Sequence, residues 1–261
     1  PDIPVGLVGE AFVSGMRGLC LGLMGRVADG TADIERSLAL ADERGALEGR
    51  CMARQLAAFL ANVSGRSRQG IAYAQAAREL AARAANPVLA AMADMNLGAA
   101  LSLAGATDDA ITLLGGAREG GGAQIGMLEW FSLPLLSLAL RDRGDHAEAL
   151  RVAEQAVAVA RGAQALTAEL SAQMALCSAL TNARPAAGGA AGEAALTRAA
   201  ELLERTGAEV FRPRWHFTRG DRLRALGDDA GFRAALQEGR RLCLAMGMDE
   251  LADRTARELA E

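Results

Sequence analysis

The stretch LLSLALRDRGDHAEALRVAEQA, residues 135–156, decides the fold. Apolar residues recur at helical spacing on both sides of Gly144, so it reads as two helices joined by one tight turn. Two other stretches superimpose on it, LAAFLANVSGRSRQGIAYAQAA (56–77) and LGAALSLAGATDDAITLLGGA (97–117). With Gly65, Gly105 and Gly144 as anchors, Ala58, Gly98 and Ser137 stand seven residues before. Gly70, Ala110 and Ala149 stand five after, and Ala77, Ala117 and Ala156 twelve after. A large aliphatic follows the +5 position each time: Ile71, Ile111 and Leu150. The spacing has a physical reason. Two antiparallel helices that cross closely need small side chains where they touch, and glycine at the anchor supplies the left-handed residue that ends the first helix.

Further copies lie on either side. RGDRLRALGDDAGFRAALQEG (219–239) is anchored at Gly227, with Gly220 seven before and Gly239 twelve after, while Gly231 and Phe232 fall one residue early. LGLMGRVADGTADIERSLALA (21–41) is looser. The fifth copy starts normally at MALCSALTNA with Ala175 in the small position, but Gly- and Ala-rich sequence from Arg184 to Gly192 replaces the tight turn. That segment is expected to be slack, easily cleaved, and a hinge before the Arg-rich end. MDELADRTARELAE (248–261) reads as a final amphipathic helix capped by Asp249, covering the open end of the core. Pro134 is expected to kink a longer helix, since the apolar pattern continues upstream through Trp130 and Met127. The expectation is an all-α, right-handed α-solenoid of about six antiparallel helix pairs plus a capping helix. Its single domain divides into units at 8–45, 46–85, 87–122, 123–163, 165–207 and 208–246.

Composition agrees. The 261 residues are 51% hydrophobic but only 3% aromatic, which suits closely packed Ala-rich helices. All 28 basic residues are Arg, a usage that reads as genomic codon bias before it reads as anion recognition. The net charge of -4 argues against a nucleic-acid scaffold. Cys20, Cys51, Cys177 and Cys243 form no CxxC pair and read as buried free thiols of a reducing cytoplasm. No apolar run is long enough for a membrane span, and the start at Pro1 reads as a fragment of a longer protein.

The three clean copies resemble the tetratricopeptide repeat over roughly residues 8 to 250. The C-terminal portion has a finer likeness. Arg219 or Arg224 near Gly220, then Ala225-Leu226-Gly227, then Gly247, resemble the helical-repeat region of large bacterial signalling proteins: multidomain ATPases, LuxR/MalT-type regulators and class III nucleotide cyclases. In those proteins the region senses ligands or partners for an effector domain, and no effector motif is present in this sequence. By the same resemblance, positions thirteen, ten, six and three before each anchor line the concave groove. These are Met52, Gln55, Phe59 and Asn62 in the second unit, and Met92, Met95, Ala99 and Ser102 in the third. The fourth contributes Phe131, Pro134, Leu138 and Arg141, and the last Arg214, Phe217, Asp221 and Arg224. A shifted register gives Met16, Leu19, Leu23 and Arg26 in the first. The groove therefore reads as apolar and Met-rich, with a charged far end. Such a surface either marks an interaction site or is buried by tight winding of the superhelix. Arg214, Arg219, Arg222 and Arg224 form a candidate patch for an anionic partner, although Asp221, Asp228, Asp229 and Glu238 are interspersed.

No residue set points to catalysis. His146 sits in a turn and His216 beside Trp215, neither with metal-ligand spacing. The serines have no GxSxG elbow, and GGAREGGG (115–122) lacks the preceding strand and following Lys of a phosphate loop. The sequence thus implies a non-catalytic binding domain without metal or cofactor, part of a cytoplasmic bacterial signalling or regulatory protein. Its partner would be a protein or peptide segment; the alternative is an enclosed small apolar inducer. Nucleic acid and membrane are not expected as partners, and a homodimer stays open.

Overall fold

The computed structural model describes residues 5–44, 46–120, 126–183 and 189–260. Those residues form thirteen α-helices and one short 3-10 turn, with no strand among them. The helices run in adjacent pairs: α1 (Val5–Leu23) with α2 (Val27–Arg44), α3 (Leu47–Val63) with α4 (Ser67–Arg83), and α5 (Pro87–Leu103) with α6 (Thr107–Gly120). Then come α7 (Gly126–Arg143) with α8 (His146–Gly162), and α9 (Leu166–Ala183) with α10 (Gly189–Thr206). After the 3-10 turn Glu209–Phe211, α11 (Arg212–Ala225) pairs with α12 (Asp229–Ala245), and α13 (Asp249–Ala260) ends the chain. This is a tetratricopeptide-like helical-repeat solenoid with a terminal helix.

The anchors do what their spacing requires. Gly65, Gly105, Gly144 and Gly227 have φ of +81°, +83°, +93° and +82°, the left-handed conformation that L side chains resist. Gly25 belongs to the same series at +85°. Counting from it places Gly18 seven before and Gly30 five after, and a Cβ on Gly30 would stand 2.5 Å from the Gly18 carbonyl oxygen. The first unit is therefore a regular copy, not a loose one, and its register differs from the shifted one expected. Turns between units also need a left-handed residue. Ala85 and Gln164 fill two of them at φ +49° and +54°.

Local sequence accounts for several helix ends. The Asn86 side chain accepts from the Val88 and Leu89 amides at 3.1 and 3.2 Å, with Pro87 as the first helical residue of α5. Asp228 Oδ1 accepts from the Gly231 amide at 2.8 Å and caps α12. Asp249 is not a cap: it lies inside the first turn of α13, where its carboxylate complements the helix N-terminus. Pro134 sits within α7, as the kink reading requires, and removes the amide that would bond the Trp130 carbonyl. The expected slack segment is shorter than its sequence suggests. Gly189–Gly192 begin α10, and Gly192 packs so closely that a Cβ would meet Arg222 Nη1 at 2.7 Å. Residues 184–188, and with them the expected hinge and cleavage site, lie outside the described residues.

The superhelix closes on itself. The largest core cluster joins Val27, Leu56, Leu60 and Val63 of the first two units to Leu202, Val210, Phe211, Met248 and Leu251 of the last ones. A Cβ on Gly65 would touch Leu251, and one on Gly25 would touch Glu209 and Met246. Arg214 Nη2 donates to the Asn62 carbonyl at 2.7 Å, across 152 residues of sequence. The final helix thus does more than cover an end: it seats the last unit against the second.

Candidate functional site: a central chamber

Closure converts the groove into a chamber of about 260 Å³. Its wall comes from the first helix of successive pairs, α3, α5, α7, α9 and α11, together with Phe211 and with Leu251 and Arg254 of α13. Much of the lining is apolar. Phe59 and Phe131 meet edge to face with centroids 5.4 Å apart, and Met95, Leu138, Met174 and Phe217 extend the surface. Charged residues interrupt it: Arg141, Asp142, Arg214, Asp221 and Arg254.

Of the sequence-derived groove positions, Phe59, Asn62, Met95, Ala99, Ser102, Phe131, Pro134, Leu138, Arg141, Arg214, Phe217 and Asp221 line the chamber. The agreement drifts along the chain: the second unit contributes only its last two positions, the fourth all four, and the last unit its first three. Met16, Leu19 and Leu23 are instead part of the packing around the large core cluster, and Arg26 is exposed in an ion pair with Asp29. Met52 and Met92 pack between the second and third units. Gln55 is fully buried and structural: its Nε2 donates to the Leu89 carbonyl at 2.9 Å and its Oε1 accepts from Asn96 Nδ2 at 2.8 Å. Asn62 repeats the motif one helical row later, donating to the Asn96 carbonyl at 2.9 Å. These amides tie unit to unit, and Gly70 is small because the Asn62 carboxamide occupies the space of its Cβ.

Sequence reasoning missed the α9 wall. Ser171, Met174 and Ser178 lie thirteen, ten and six residues before position 184, so the fifth unit's small residue is the fully buried Cys177, not Ala175. It also missed Leu251 and Arg254, which only ring closure brings in.

The four arginines of the expected anionic patch do not form one surface. Arg222 is buried, paired with Glu193 at 3.1 Å and donating to the Gly189 carbonyl, so it fastens α11 to α10. Arg219 is exposed over the Trp215 ring. Arg224 lies over Phe232 with its guanidinium carbon 4.6 Å from the ring centroid, and its Nη1 is 3.7 Å from Glu258 Oε1. Arg214 alone turns into the chamber. Burial, helped by Arg254 nearby, holds its pKa down at about 10. On the same wall, burial pushes the Asp221 carboxyl up to about 6 against the pull of Arg141. Asp221 is open to the chamber yet hemmed in by protein on its other sides, which is why an accessible carboxylate is poorly hydrated.

Outside the chamber little invites chemistry. Burial raises the Cys51 thiol pKa and pushes Cys177 and Cys243 up to about 11, so those sulfurs are protonated and poor nucleophiles. Cys20 is exposed, contrary to the expectation of four buried thiols. His146 is exposed on the first turn of α8, while His216 stands edge-on to Trp215, its pKa lowered by burial. Among the described residues no group of three His, Cys, Asp or Glu is placed to hold a metal ion. No helix among them is long and apolar enough to cross a membrane.

No known family model matches the chain, and no curated protein does. Among solved structures, the crystal structure of a Rap protein complexed with Competence and Sporulation Factor superimposes with a TM-score of 0.64. The two are 14% identical, over 96% of this chain and 74% of the other. The chain resembles a Rap protein in fold. At that identity the likeness shows the path of the backbone alone.

Proposed function

We propose that this chain is a non-catalytic binding domain that takes a short peptide segment into its central chamber. The observation that carries the reading is the wall itself. The inward helices present the apolar side chains of Phe59, Met95, Phe131, Leu138, Met174 and Phe217, with Arg141, Arg214 and Asp221 set among them. Pockets of that kind, apolar with a few placed polar groups that fix orientation, are where proteins hold small ligands. The fold of a Rap protein solved with a factor bound, and the sequence likeness to repeat regions of bacterial signalling ATPases and regulators, support a sensory role in a larger cytoplasmic protein. Closure supplies the relay. Contacts such as Arg214 to the Asn62 carbonyl join the last unit to the second, so an occupant that favours the closed ring changes the relation between the chain's two ends.

Titration of a short-peptide library by native mass spectrometry tests this, with Leu138→Trp narrowing the chamber and Leu226→Ala altering only the exterior. Binding should be lost in the first variant and kept in the second. A library with no binder, or binders indifferent to Leu138→Trp, would overturn the reading. One observation favours a second occupant: about 260 Å³ lies just below the roughly 300–1,000 Å³ of drug-sized pockets, so a compact apolar metabolite also fits. Native spectra of the gently purified chain would show it as a fixed added mass.

A further inference from the structure

Three ionised side chains lining the chamber, Arg214, Arg254 and Asp221, have no partner of opposite charge. Among the described residues, no carboxylate lies within ion-pairing distance of Arg214 or of Arg254, which flank the same stretch of wall. Arg214 spends one donor on the Asn62 carbonyl and keeps the rest of its guanidinium for the chamber. Asp221 likewise pairs with no cation; Arg141, the cation with the strongest field on it, is already engaged by Asp142 at 2.5 Å and Ser178 at 2.5 Å. Unpaired charges in poorly hydrated sites are costly, and they persist where a ligand completes them.

Their spacing is informative. Arg214 and Asp221 are seven residues apart on α11, two helical turns, so both project from one face about 10 Å apart along the axis. Phe217 and Thr218 stand between them on the chamber wall. An extended peptide advances about 3.3–3.6 Å per residue, so 10 Å spans about three residues. A free tripeptide or tetrapeptide carries its α-ammonium and α-carboxylate at that separation, with its side chains between.

We propose, resting on the peptide reading above, that the chamber holds a free apolar peptide of about three or four residues by its two ends. The α-carboxylate sits at Arg214 and Arg254, the α-ammonium at Asp221, and the side chains face Phe59, Phe131 and Phe217. A guanidinium matches a carboxylate in plane and in charge, and each charge-assisted hydrogen bond in a desolvated site is among the stronger contacts a protein makes. The occupant also relieves Asp221, because an ammonium beside it favours the ionised carboxylate.

The test uses trialanine and tetraalanine with free ends, small enough for the chamber, their C-amidated forms and their N-acetylated forms, titrated calorimetrically into the full chain. Free peptides should bind, and capping either end should weaken binding by about tenfold or more. In the double variant Arg214→Gln/Arg254→Gln the free and amidated forms should bind alike, and in Asp221→Asn the free and acetylated forms should. Equal affinity of all forms for the unaltered chain would overturn the end-recognition proposal while leaving the chamber as the peptide site. Capped peptides binding more tightly than free ones would also overturn it. No binding by any form, over lengths of two to six residues, would sink the peptide reading itself along with it. The capped series on the unaltered chain needs no variant to fold.

Discussion

Gly30→Ala probes the close crossing on which the repeat reading rests. The added Cβ would lie 2.5 Å from the Gly18 carbonyl oxygen, 2.8 Å from the Gly22 nitrogen and 3.1 Å from the Gly22 Cα. All three are backbone atoms of α1, so no rotamer change relieves the contact. The helices must move apart by several tenths of an ångström along their shared face. Alanine gains about 1 kcal/mol of helical propensity over glycine, whereas forcing a methyl into packed backbone costs several times that. The net expectation is a loss of about 1–3 kcal/mol. Gly116→Ala in α6 is the matched control, because a Cβ there meets nothing within 4 Å and the propensity gain of about 0.5–1 kcal/mol stands alone. Urea denaturation followed by far-ultraviolet circular dichroism gives both numbers. A Gly30→Ala chain as stable as the parent would refute the argument that small residues are placed by helix contact.

Ala85→Gly and Gln164→Gly should each stabilise by roughly 0.5–1 kcal/mol in the same assay, because both residues hold a left-handed backbone that costs an L side chain about 1–2 kcal/mol. Glu169→Ala should cost about 2 kcal/mol. Burial alone would raise this carboxyl's pKa, but hydrogen bonds from Arg198 and Arg161 outweigh it and hold the pKa below the ordinary value, clamping α9 to α8 and α10. That contribution is present above the unfolded carboxylate pKa and should fade as acid protonates Glu169. Asp221→Asn should act in the opposite sense. With its pKa raised from 3.8 to about 6, the folded chain binds the extra proton between those values, so stability falls as pH rises through that window. Removing the charge should raise the melting temperature at pH 7.5 and leave it unchanged at pH 4. Solvent in the chamber screens the effect to about 1 kcal/mol or less.

The sequence carried the parts of this fold that depend on neighbours in the chain. Gly65, Gly105, Gly144 and Gly227 were legible because a left-handed turn demands glycine at a fixed distance from small helix-contact residues. Ala85 and Gln164 were not, since a strained non-glycine residue at the same kind of turn leaves no mark in composition. The first unit was misread for a simple reason: both Gly25 and Gly30 offered an anchor, and only the backbone distinguishes a turn glycine from a contact glycine. In the site, Phe59, Phe131 and Leu138 followed from repeat register. Gln55 lay at the same kind of position but became an inter-unit hydrogen-bonding strut, because the winding is tight enough to bury it. Ring closure stood in the sequence only as an open alternative, a tightly wound superhelix. It accumulates from small rotations between adjacent units, and no local pattern encodes their sum.

Photo-crosslinking locates the occupant on the chain. A chamber-binding tripeptide carrying a diazirine side chain would be irradiated with the full chain, and the modified residues mapped by mass spectrometry. Among the described residues, a second apolar cleft competes with the chamber, at the outer end of the first three units and marked by exposed Phe12 and Val88. Adducts are expected on Phe59, Met95, Phe131, Leu138 or Phe217. Adducts confined to Phe12, Met52 and Val88, with the chamber residues unmodified, would contradict the chamber reading.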